Sequence, residues 1–160
     1  MSKEVRPDTL DFIYEHVRDA PAEQKRSQES LDSKMVQIFG AASIVIGLAG
    51  VTSRGLNTGD TVNALLVGAV LAYVVAAVMA LLGLRTRKYR RSFHADELWR
   101  YYWRDEPAKI KHALVDDMGK SYVHNKEILK DKARMVSLGL AATGVEVVLV
   151  GLALIWSRLA

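Results

Sequence analysis

The chain contains no cysteine. Disulfides, thiolate metal sites and cysteine nucleophiles are therefore excluded, while the redox compartment stays open. Charge is missing from three long stretches. Met35 to Ser53 and Thr61 to Leu84 carry none, and Met135 to Ser157 carries Glu146 alone. No run alternates polar and apolar residues as a half-buried strand would, and no internal repeat stands out. His16, His94, His112 and His124 are scattered without zinc-like spacing, and His112 with Asp116 reads as a surface pair on one helical turn. Gly55 and Gly59 are not followed by the Lys and Ser or Thr of a phosphate loop. No serine sits in a nucleophile elbow. Catalysis thus finds no support, and neither a metal nor another cofactor is expected.

The three uncharged runs are what remains. A helix needs roughly 20 apolar residues to cross the hydrocarbon, at about 1.5 Å of rise each, and all three are near or above that length. Buried helices of a soluble bundle would show one polar face; these runs are apolar on every side. The fold expected is all-α, a membrane protein with three transmembrane helices and helical cytoplasmic extensions. The first run is not read as a signal peptide. A mixed-charge stretch holding Asp8, Asp11, Glu15 and Asp19 precedes it, where a signal has a short basic start.

Basic residues orient the spans, because Lys and Arg favour the cytoplasmic side of short loops. Six precede the first span: Lys3, Arg6, Arg18, Lys25, Arg26 and Lys34. Arg54 alone lies between the first two spans, and fourteen, opening with Arg85, Arg87, Lys88, Arg90 and Arg91, lie between the second and third. Arg158 alone follows the third. The layout expected is 1–34 cytoplasmic, 35–53 first span, 54–60 outer loop, 61–84 second span, 85–134 cytoplasmic, 135–157 third span and 158–160 outer tail. The N-terminus lies inside and the C-terminus outside the cell (inner) membrane. The basic cluster reads as a stop-transfer signal attracted to anionic lipid. Beside a span it is not a nucleic-acid site, so the net charge of +4 does not point to nucleic acid.

Within the cytoplasmic half, Asp8 suits an N-cap before Leu10, Ile13, Tyr14 and Val17 on one face. Pro21 suits the first turn of a new helix, and nothing from Ala22 to Met35 breaks it before the span. Leu98, Trp99, Tyr102 and Trp103 make the segment 94–104 aromatic and amphipathic. It belongs either in the membrane interface or on the protein's own helices. From Pro107, Ile110, Leu114, Met118 and Tyr122 recur at four-residue steps. Asn125, Leu129, Lys132 and Val136 continue the stripe, so this helix can run into the third span, with Gly119 its weakest point.

Three groups of residues stand out as candidate sites. In the second span Ala64, Gly68, Ala72, Ala76 and Ala80, spaced by four, form a small-residue stripe along which helix backbones can approach. Ser43 with Gly47, and Gly139 with Thr143, are shorter versions on the other spans. At the inner membrane edge Asp32 and Lys132 lie three residues before Met35 and Met135, hence at similar depth. They are expected to pair, with Asn125 one step further into the cytoplasm. Glu146 falls at mid-membrane, where a charge costs roughly 2.5 to 3.5 kcal/mol. Eleven Leu, Ile and Val residues in the same run carry the helix in, but the carboxyl should face protein or water. Counting from the span midpoints puts Ser43 and Tyr73 at that depth as hydroxyl partners. Glu146 is read either as a switch or pathway group for ions or protons, or as hydrogen-bonded glue between helices.

The sequence also carries a resemblance. A short acidic cytoplasmic helix leads through Leu31-Asp-Ser-Lys34 into the first span. The second span ends in a basic cluster, and Asn125 and Lys132 lead into the last. From about Ser30 to Trp156 this order resembles the small transmembrane effectors of bacterial antiphage signalling, the Pycsar type and its relatives, which carry an Asp-x-Lys-like lead to their first membrane helix. The resemblance implies a membrane effector, silent until infection raises a nucleotide second messenger, that then oligomerises and permeabilises or depolarises the membrane. No separate cyclic-nucleotide-binding domain is visible, so the trigger is not named by the sequence. Two other functions fit: a non-enzymatic scaffold or regulator docking a cytoplasmic protein partner, and a small ion- or proton-handling protein using Glu146. The partners expected are the lipid bilayer, further copies of the chain, and a nucleotide messenger or cytoplasmic protein.

Overall fold

The computed structural model describes residues 7–52, 59–85, 89–90 and 106–159. Every regular element among them is a helix. They are α1 (Pro7–Arg18), α2 (Ala20–Thr52), α3 (Asp60–Leu84) and α4 (Pro107–Leu159). α2, α3 and α4 are long and apolar enough to cross a membrane. α1 starts with Pro7 in its first turn, so Asp8 lies inside the helix and is not its cap. The Asp19 carbonyl accepts from the backbone N–H groups of Ala22 and Glu23, opening α2 with Pro21 in its first turn. Neither α2 nor α4 is interrupted, and Gly119 does not break α4. The aromatic segment 94–104, most of the loop from Ser53 to Asp60, and Arg87, Lys88 and Arg91 lie outside the described residues.

The chain divides into two compact units. One, Ser30–Thr86 with Asp131–Ala160, holds the three spans. Contacts fix their levels. A Cβ on Gly83 would run into the end of the Met35 side chain and stand 3.6 Å from Met135 Cβ. Gly139 faces Ile38, Met79 and the Ala76 carbonyl, and Ala49, Ala69 and Val150 form a cluster nearer the other end. α3 therefore runs antiparallel to α2 and α4. The core is rich in small residues: Ala42, Ala49, Ala69, Ala76, Ala80 and Ala153 are all buried, beside Met35, Ile38, Val62 and Val150. Large side chains such as Ile44, Leu48, Leu71, Leu81, Leu140 and Ile155 point outward. That is the arrangement for a lipid solvent, where association rests on close backbone packing and not on apolar burial.

The packing face differs from the four-residue stripe. On α3, Val62, Ala69, Ala76, Ala80 and Gly83 are buried, Gly68 and Ala72 are half-buried, and Ala64 is exposed. Four residues turn a helix about 40° past a full circle. A stripe of fours therefore drifts off any straight partner, while a seven-residue repeat stays on it. The same correction applies to α4, where Asn125 and Lys132 are buried but Tyr122 is exposed.

The other unit, Met1–Glu29 with Arg87–Lys130, is held by polar contacts. Lys111 pairs with Asp11 and stands over the Tyr14 ring at 5.1 Å. Arg90 pairs with Asp117 at 3.2 Å.

Candidate functional site

Among the described residues the buried polar ones are Gln24, Ser121, Asn125, Lys132, Thr143 and Glu146, and five of the six belong to α4. A helix hides polar side chains only where each finds a partner or a task, so each marks a candidate.

In the unit of spans, the structure brings Asp32 and Lys132 together. Lys132 Nζ donates to Asp32 Oδ1 at 2.6 Å, the lysine side chain 3% exposed and the aspartate 33%. They lie one turn before Met35 and Met135 and seal that end of the bundle. Further along α4, Thr143 donates to the Gly139 carbonyl at 3.0 Å and is thereby satisfied.

Glu146 is 0% exposed, and neither carboxyl oxygen has a hydrogen-bond partner. Ser43 and Tyr73 do not reach it. Ser43 donates back to the Phe39 carbonyl at 2.8 Å, and its hydroxyl meets that of Tyr73 at 3.4 Å. Counting from midpoints put Tyr73 near the level of Glu146 but Ser43 about three residues short of it and left rotation free, and Ser43 found its acceptor one turn down its own helix. Glu146 stands about eleven residues along α4 from Met135. The same offset from Met35 and Gly83 reaches about Ile46 on α2 and Ala72 on α3, an apolar level.

In the other unit Asn125 is a clasp. Its Oδ1 accepts from the Arg90 backbone N–H at 3.0 Å, and its Nδ2 donates to the Arg90 carbonyl at 3.0 Å and to Gln24 Oε1 at 3.3 Å. Gln24 Nε2 donates to the Tyr122 carbonyl at 2.9 Å. One amide thus grips both backbone groups of Arg90. The sequence reading missed Gln24, although it stands eleven residues before Met35, close to three helical turns and so on the same face. An open groove of about 690 Å³ lies beside it, lined by Arg90, Val115, Asp116, Gly119, Lys120, Val123 and His124. Lys120 donates to Asp116 at 2.6 Å and holds that carboxyl below the usual carboxylate range. Among the described residues no cluster of His, Asp and Glu has the makings of a metal site.

The family model for the Pycsar effector protein domain, PycTM, matches residues 16–157. The chain belongs to the Pycsar effector family. It is thereby a transmembrane effector of Pycsar antiphage defence, and such effector domains are generally non-catalytic. No curated protein and no solved structure matches it. The matched span takes in α2, α3 and α4 from end to end or nearly so, so this Pycsar effector's clasp, edge ion pair and Glu146 all lie within the family's domain.

Proposed function

We propose that this Pycsar effector assembles in the inner membrane, N-terminus inside, and on activation permeabilises it. One observation carries the reading: a carboxyl with no partner is fully buried midway along a bundle whose packed faces are mostly apolar, with Thr143 the other buried polar side chain between Lys132 and Glu146. Three helices closed on alanines leave no room for a wide path within one copy. A path for ions therefore forms between copies, whose outward faces carry Gly40, Gly47 and Gly144 with nothing close above them. The cytoplasmic unit receives the trigger, a nucleotide second messenger. The groove at Arg90, Lys120 and His124 also favours a second reading, a regulator that docks a cytoplasmic protein there. Expression in cells carrying a potential-sensitive dye separates the two. Depolarisation, with or after supply of the messenger, supports the permeabilising effector. Cells that stay polarised at high expression under both conditions contradict it.

A further inference from the structure

The inward stripe of α4 changes character along its length. From the end sealed by Asp32 and Lys132 it runs through Gly139, whose carbonyl accepts from Thr143, to Thr143 itself and then Glu146. Beyond Glu146 it continues with Val150 and Ala153, both buried and apolar. Between Lys132 and Glu146 the one buried polar side chain is Thr143, with Met35 and Met135 packed at the level of Gly83 and Ile38 against Gly139. The groups packed around it supply no countercharge: 35–53 of α2 and 61–84 of α3 contain no Asp, Glu, Lys, Arg or His, and Glu146 is alone in 135–157. The titratable group nearest its level is Tyr73, whose hydroxyl is engaged with Ser43. A fixed structural hydrogen bond is thus not what keeps this carboxyl here.

We infer that Glu146 is a proton-binding site of the membrane region, taking up and releasing its proton as the bundle closes and opens. The closed bundle fits the neutral acid, whose two oxygens need least from their surroundings. When the proton leaves for water, the carboxylate that remains cannot stay in an apolar, unpartnered site. The helices must then part until water reaches it. On the reading of the preceding subsection, that parting is the step that opens the path between copies. The proton site itself does not depend on that reading.

Infrared difference spectroscopy of the full chain in lipid, wild type against Glu146→Gln, reads the site without any activity. The wild type is expected to show a carboxylic-acid carbonyl band that the variant lacks. The band shifts on transfer to heavy water and converts reversibly to carboxylate bands as pH rises. A band that neither exchanges nor titrates, or carboxylate bands at every pH, overturns the proton site. Dye release from liposomes is measured on the same samples and separates the two readings. Wild-type protein whose band titrates but which never releases dye refutes permeabilisation and leaves the site standing. Release by Glu146→Gln equal to wild type refutes the coupling between them.

Discussion

Removing Asp32 should cost more than removing its partner. Lys132 is nearly inaccessible and Asp32 one third exposed. Asp32→Ala leaves a buried ammonium with no countercharge, a change worth about 3 to 5 kcal/mol in a fully closed site. The long lysine stem can swing part of the way to water, which brings the expected loss to about 2 to 3 kcal/mol. Lys132→Met keeps the shape of the stem and leaves a carboxylate that water already reaches, for about 0.5 to 1 kcal/mol, the scale of an exposed pair. With Lys132 already Met, Asp32→Ala has little left to break. The coupling energy is therefore about 2 kcal/mol, well above the 0.2 to 1 kcal/mol typical of surface pairs. Unfolding of the purified protein in a detergent series measures all four corners of the cycle. Losses that add to within about 0.5 kcal/mol, or a costlier Lys132→Met, refute the argument.

Gly83→Ala drives a methyl into the end of the Met35 side chain, which is flexible and can turn aside, so the loss should stay within about 1 kcal/mol, below the usual range for overpacking. Gly139→Ala meets only ordinary contacts at 3.5 Å or more and should be neutral or better; the same unfolding assay ranks them. Asn125→Ala strips the Arg90 backbone of both its bonds to the clasp and should cost about 1 to 3 kcal/mol, with faster hydrogen exchange at the Arg90 amide as its local signature. Asp116 titrates below the usual range because Lys120 bonds its charged form. The stability it adds is present above the unfolded value and is lost as pH falls through the folded one; carboxyl NMR titration should return it to normal in Lys120→Met.

The sequence tells length and depth better than rotation. The uninterrupted α2 and α4 follow from the lack of a breaker after Pro21 and after Pro107, and the three spans follow from the uncharged runs. Asp32 and Lys132 were legible because both are counted from a sharp edge, where charge ends at Lys34 before Met35 and at Arg134 before Met135. Ser43 and Tyr73 were matched to Glu146 by depth alone, and depth leaves the angle around each helix free. The stripe from Ala64 to Ala80 shares that weakness: a step of four assumes that the partner helix does not mind the drift. Stepping in sevens from Met35 or Gly83 keeps Ala42, Ala49, Ala69 and Ala76 and drops Ala64. The amide clasp was only partly visible, since Asn125 shares the face of Lys132 while its grip on the Arg90 backbone depends on where the chain after α3 lies.

The proposed function rests on three crossings that would put 1–34 and 85–134 together on the cytoplasmic side. The natural absence of cysteine makes this directly testable, because single cysteines can be introduced without altering any existing thiol. In intact cells an impermeant thiol reagent should label cysteines placed at Asn57 and after Arg158, and should spare one at Lys109 until the membrane is broken. Labelling at position 109 in intact cells, or protection at Asn57, would contradict the account.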